Sequence, residues 1–147
     1  MRKHTETIDS KLKTAWQIIS RMYNAEAIKH DITIAIGHFL LNVDSQQGAF
    51  ATDIAPRLGT EDTSLSRLIA SLEQTGLIER LGDKTDKRRM RILLTEKGKQ
   101  KKEVSKNVVR NFNRLARERI GKDKIDTFLA TLDEITSLAK EHYEQVK

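Results

Sequence analysis

Residues 61–94 read EDTSLSRLIASLEQTGLIERLGDKTDKRRMRILL, and within this stretch the apolar side chains change their period. Leu65, Leu68, Ile69 and Leu72 recur at three- and four-residue steps, the spacing of one helix face, which predicts a helix from about Glu61 to Thr75 with Gly76 as its stop. The period then drops to two. Leu77 to Leu81 reads as a strand, Gly82 to Arg89 as a polar loop, and Met90 to Leu94 as a returning strand with Met90, Ile92 and Leu94 on one face. Together these two strands form a hairpin whose tip is basic. Lys84, Lys87, Arg88, Arg89 and Arg91 outnumber Asp83 and Asp86 there.

Upstream lies a shorter helix, predicted from about Thr52 to Leu58 and closed by Gly59. With Thr52 as its cap, Pro56 falls in or near the first turn, where few amide bonds are lost. Two short helices joined by Gly59 and Thr60 make a helix-turn-helix, and a basic hairpin follows directly. Before the pair, Asp31 is read as the N-cap of a helix over Ile32 to Val43, ended by the polar cluster from Asp44 to Gly48. The first helix carries Ile8, Leu12, Ala15, Trp16, Ile19, Met22 and Tyr23 on one face. After the hairpin, Thr95 caps a helix that runs to about Ile120, about 38 Å at 1.5 Å per residue. Gly121 and Lys122 break it. A last helix repeats Ile125, Phe128, Leu129, Leu132, Ile135, Leu138, Ala139, His142, Tyr143 and Val146.

The fold class is therefore mainly α with a small β-hairpin. The expected organisation is an N-terminal helix over 1–30, a helix-turn-helix lobe with its hairpin over 31–98, and C-terminal helices over 99–147, within one compact chain.

Composition narrows the chemistry. The 147 residues carry 27 Lys and Arg against 21 Asp and Glu, a formal charge of +6, so polyanions are the favoured partners. With no cysteine there is no disulfide, thiolate metal site or thiol redox sensor. The N-terminus lacks the apolar stretch of a signal peptide, and Ile32 to Val43 is too short to span a bilayer. A soluble, cytoplasmic protein without membrane contact is expected. His30 and His38 lie eight residues apart and no carboxylate cluster joins them, so no metal site is expected. No phosphate-binding glycine loop, zinc-protease helix or nucleophile elbow occurs, which argues against an enzyme.

In a helix-turn-helix the second helix lies in the DNA major groove with its N-terminal residues at the base edges. Here that helix presents Thr63, Ser64, Ser66 and Arg67. The first three are short enough for close approach, and Arg67 reaches phosphate or guanine. Glu61 and Asp62 suit the helix dipole; one either accepts from a cytosine amine or repels phosphate. The hairpin supplies Asp86, Lys87, Arg88 and Arg89. Arginine in a narrow minor groove meets concentrated negative potential, and Asp86 is placed to orient a guanidinium two residues on. A hairpin that binds protein instead, without DNA, is the alternative; it would carry apolar anchors at the tip from Lys84 to Arg91.

The chain resembles the multiple-antibiotic-resistance regulator (MarR) family. The resemblance is carried in order by Asp53-Ile54-Ala55, by 63–69, by 72–80, by Asp86-Lys87-Arg88-Arg89, and by Leu94-Thr95-Glu96-Lys97-Gly98. It implies a winged helix-turn-helix homodimer on a pseudo-palindromic duplex DNA site. Arg88 would enter the minor groove and Asp86 would orient it. It also implies repression of transcription, relieved by a small aromatic or phenolic effector, with no other cofactor. The first helix and the C-terminal helices would form the dimer, through Leu12, Trp16, Ile19, Phe128, Leu132, Ile135 and Tyr143.

Overall fold

The computed structural model describes residues 6–82, 84–86 and 88–147. Among the described residues, six helices and three short strands follow one another as α1 (Ile8–Ile28), α2 (Ile34–Leu41), β1 (Ala49–Phe50), α3 (Ala51–Leu58), α4 (Asp62–Gln74), β2 (Ile78–Gly82), β3 (Met90–Leu94), α5 (Glu96–Ile120) and α6 (Lys122–Val146). The chain divides into two compact units, Met1–Val108 and Val109–Lys147, with α5 contributing to both.

The first unit is built on a core of Phe39, Leu40 and Val43 from α2 and its exit, Ile54 from α3, Leu65, Ile69 and Leu72 from α4, and Leu77, Ile78, Ile92 and Leu94 from the sheet. The expected apolar face of α4 is thus the buried one. The sheet is antiparallel in the order β1-β3-β2. β2 and β3 pair from Ile78↔Leu94 to Gly82↔Met90, so the hairpin is the one the alternation predicted, with β2 starting one residue later. The third strand was not expected. β1 adds Ala49↔Ile92 and Phe50↔Arg91 on the other side of β3.

Two caps differ from expectation. Asp31 does not cap α2. It adopts φ 59°, and its N–H donates to the Ile28 carbonyl while the Ile32 N–H donates to that of Ala27. An aspartate tolerates this left-handed turn better than most residues, so Asp31 closes α1 instead. Thr33 caps α2, accepting the Ile36 N–H, while Asn24 Oδ1 on α1 accepts the Ile34 N–H at 3.1 Å. Nor does Thr52 cap α3, which begins at Ala51 after Phe50. Pro56 is therefore well inside the helix, beyond its first turn. Pro56 and Thr52 are both exposed, so the Thr52 carbonyl that loses its intrahelical partner faces water.

The start of α5 holds three other helices by their C-terminal ends. Lys97 Nζ donates to Thr75 O after α4, Lys101 Nζ to His30 O after α1, and Lys102 Nζ to Val43 O after α2. Carbonyls at a helix C-terminus lack intrahelical partners and carry the negative end of the dipole, so an ammonium is well placed against them. Lys102 is buried, and desolvation lowers its pKa from the usual lysine value.

In the second unit the left-handed Gly121 (φ 107°) turns α5 into α6. Asp126 accepts from Arg117 and from Lys122, each at 2.6 Å, and these bonds, Lys122's first, hold its carboxyl below the usual aspartate range. No residue of α6 is buried.

Candidate nucleic-acid interface

Because Leu65, Ile69 and Leu72 turn α4 toward the core, the remaining positions of its first turns face solvent. Thr63, Ser64, Ser66 and Arg67 are all exposed, and the structure brings them together on one outer face. Glu61 occupies the cap position without a side-chain bond to the helix, and Asp62 sits in the first turn.

The far end of this helix is mounted firmly. Gly76, at φ 75°, and Leu77 donate their N–H groups to Glu73 O and Leu72 O, the reverse-turn closure that needs a left-handed residue. Thr95 Oγ1 then donates to Gly76 O at 2.6 Å and accepts the Gly98 N–H at 3.1 Å, while its own N–H donates to Leu77 O. Thr95 therefore caps α5, as expected, and also ties it to the exit of α4. Arg80 on β2 grips Glu73 through both carboxylate oxygens, at 2.8 and 3.0 Å. That bidentate bond lowers the Glu73 pKa and raises that of Arg80. The exit of α4, the hairpin and α5 are thus tied together.

At the hairpin tip, Asp86 Oδ1 accepts the main-chain N–H of Arg88 at 2.9 Å, and Asp86 O accepts the Arg89 N–H at 3.0 Å. Asp86 thus shapes the backbone turn on which Arg88 sits. Among the described residues the exposed Arg88 guanidinium has no ion-pair partner. Lys87, expected beside it, lies outside the described residues, as does Asp83.

The next two arginines behave differently. Arg89 Cζ stands 3.6 Å from the centroid of the Phe50 ring, and Nη2 lies 3.8 Å from Asp53 Oδ2 on α3. Arg91 Cζ stands 4.6 Å from the same centroid and donates from Nη1 to Gln47 O at 2.8 Å. A cleft of about 340 Å³ opens beside them, lined by Asp44, Phe50, Asp53, Arg57 and Arg91 among others. Neither Phe50 nor this grouping was expected from sequence. The residues are about forty positions apart and meet through the β1–β3 pairing and the packing of α3 on β3.

The residues expected at a dimer interface are exposed or half-buried in the single chain. Leu12 and Trp16 on α1 are exposed, Ile19 is half-buried, Phe128 and Tyr143 on α6 are exposed, and Leu132 and Ile135 are half-buried. Trp16 stacks on His38 of α2 with ring centroids 5.9 Å apart. Desolvation holds the His38 pKa below the usual imidazole value. Among the described residues no three side chains gather as metal ligands, and no helix is long and apolar enough to cross a membrane.

Comparison with known proteins agrees with this architecture. Residues 38–98 match a family model described as a winged helix DNA-binding domain. The transcriptional regulator TtmR of Methylorubrum extorquens (strain PA1) is 29% identical over 102 residues, which is 67% of this chain and 52% of that protein. The chain thus spans about half the length of that relative. Among solved structures, the transcriptional repressor CouR bound to a 23-mer DNA duplex superposes with a TM-score of 0.79 at 28% identity, over 92% of this chain and 96% of that one. A MarR-family transcriptional regulator from Rhodococcus sp. RHA1 shares the fold, with a TM-score of 0.76 at 20% identity over 92% and 97% of the two chains.

Proposed function

We propose that this chain is a MarR-family winged helix transcription regulator that binds duplex DNA as a homodimer and represses transcription from a pseudo-palindromic site. In this reading α4 enters the major groove with Thr63, Ser64, Ser66 and Arg67 toward the bases. Arg88, Lys87 and Arg89 form the basic end of the hairpin, with Arg88 in the minor groove on the turn that Asp86 shapes.

The observation that carries the proposal is the pairing of one exposed polar helix face with an exposed arginine at the adjoining hairpin tip that has no ion-pair partner among the described residues. An arginine without an internal partner keeps its charge for phosphate or groove edges. Its desolvation on binding then replaces water, not a salt bridge.

A twofold partner is supported by the apolar residues left in water. Trp16 is 51% exposed, Phe128 52% and Tyr143 61%, and α6 buries nothing by itself. Large apolar side chains exposed in series along a helix mark a surface that another surface covers. A second copy supplies an identical stripe, and its symmetry matches two half-sites. The aromatic pair of Trp16 and His38 offers a flat face to a small aromatic or phenolic effector that relieves repression. The protein would act in the cytoplasm, at the chromosome.

The test is a fluorescence-anisotropy titration with a labelled duplex enriched from a random pool by the wild-type protein. Binding should weaken with salt by about 0.9 log units of affinity per log unit of salt for each phosphate neutralised. Arg88→Ala should cost about 1–3 kcal/mol of binding free energy and make the salt dependence shallower by about one phosphate. Unchanged affinity in Arg88→Ala would reject the wing role. Failure to enrich any duplex, together with a salt-insensitive protein partner, would reject DNA binding altogether.

A further inference from the structure

We propose that Phe50 is a positioning residue for the wing: its ring holds the guanidiniums of Arg89 and Arg91 and thereby fixes the base from which Arg88 reaches DNA. The proposal rests on the DNA-binding reading above and adds a division of labour within it.

Phe50 is itself held on both sides. It is the last residue of β1, paired with Arg91 across to β3, and it is the residue from which α3 starts. Its backbone is therefore held by sheet and helix together. Yet it lies outside the buried core cluster and is only half-buried. A large aromatic residue outside the core normally contributes by what lies against its faces. Here that is two cations, at 3.6 and 4.6 Å from the centroid, both inside the roughly 6 Å over which a ring's negative face attracts them.

Charge accounts for the need. Arg88, Arg89 and Arg91 crowd one arm of a two-stranded turn. Without local anchors, like charges on such an arm repel one another and spread into solvent. The structure anchors two of the three. Arg91 is fixed by the Phe50 ring and the Gln47 carbonyl, and Arg89 by the ring and the Asp53 carboxylate. Arg88 is the first residue beyond these anchors toward the tip, and its N–H is fixed in turn by Asp86. The arm is thus ordered up to Arg88, which has no ion-pair partner among the described residues. Ordering before binding lowers the conformational entropy that binding must remove.

The experiment is a double-mutant cycle of Phe50→Leu with Arg88→Ala on the enriched duplex, with Phe50→Tyr as the conservative variant and thermal unfolding of each protein alongside. Leucine keeps the apolar bulk but loses the negative face, whereas tyrosine keeps both. Phe50→Tyr should bind as the wild type does. Phe50→Leu should weaken binding by about three- to tenfold. Arg88→Ala should cost less in the Phe50→Leu background than in the wild type, since a finger already misplaced has less to lose. Strictly additive losses would overturn the proposal, as would equal losses for Tyr and Leu or wild-type affinity in Phe50→Leu. A fall in unfolding midpoint that accounts for the whole loss would overturn it as well. If Arg88→Ala weakens binding while the cycle is additive, the positioning role alone fails. If the wild type enriches no duplex, both readings fail.

Discussion

Gly98→Ala sets two well-understood effects against each other. Gly98 is the third residue of α5 and is buried. In an unobstructed helix, alanine is favoured over glycine by about 1 kcal/mol. Here a methyl group at Gly98 would lie 2.0 Å from Leu77 O, 3.0 Å from Leu77 C and 3.5 Å from Leu77 Cα. An ordinary contact between carbon and a carbonyl oxygen is about 3.3 Å or more. The Leu77 carbonyl would have to retreat by roughly 1.3 Å, and it is not free to do so. It accepts the Thr95 N–H, its neighbour Gly76 accepts from Thr95 Oγ1, and Leu77 and Ile78 are core residues. Disturbing two hydrogen bonds costs about 1 kcal/mol each, and overpacking at a core edge costs about 1–3 kcal/mol. After the helix-propensity gain, the net loss should be about 2–4 kcal/mol. Urea unfolding followed by far-ultraviolet circular dichroism, at fixed protein concentration, should show a lower midpoint with an unchanged slope. Gly82→Ala is the control, because an added methyl there meets nothing within 4 Å; it should stay within about 0.5 kcal/mol of wild type. A neutral or stabilised Gly98→Ala protein would refute the reasoning, because it would show that propensity decides and the approach of α5 to the exit of α4 is loose.

Two further outcomes follow from groups buried around α2. Lys102→Met keeps the aliphatic stem but removes the donor to the Val43 carbonyl; relief of the ammonium's desolvation offsets part of the loss, and unfolding stability should fall by about 1–2 kcal/mol. His38 is half-buried, and desolvation depresses its pKa in the fold below the usual value near 6.5. The unfolded chain then takes up the proton first. Stability should be full above about pH 6.5 and decline as pH falls from there through the depressed pKa. His38→Gln should flatten that part of the profile, and an identical slope in the variant would assign the effect to other groups.

What was legible in the sequence was what neighbouring residues decide. β3 from Met90 to Leu94 and α5 from Glu96 to Ile120 fall where alternation, a threonine cap and the break at Gly121 placed them. Each signal lies within a few residues of what it controls. The errors lie where a distant partner chooses between two locally acceptable answers. Asp31 and Thr33 are both good cap residues. Asn24, on the preceding helix, receives the Ile34 N–H, and burial of Ile32 leaves Asp31 to close α1. Ala49 and Phe50 are too short a run to announce a strand, and only their pairing with β3 makes them one.

The candidate site divides along the same line. Exposure of Thr63, Ser64, Ser66 and Arg67 follows from the apolar stripe of their own helix, so reading the stripe places them. The arginines at 88, 89 and 91 cannot be separated that way, since in sequence all three are cations on one polar loop or its edge. A two-residue strand arriving from the other side of β3 distinguishes them. It brings one phenyl ring, one carbonyl and, through α3, one carboxylate to two of the arginines, whereas among the described residues the third is fastened through its backbone. Charge counting along the loop therefore overstates the number of groups free to meet a polyanion. The salt dependence of binding should report the smaller number, because the Asp53 carboxylate already offsets part of the Arg89 charge.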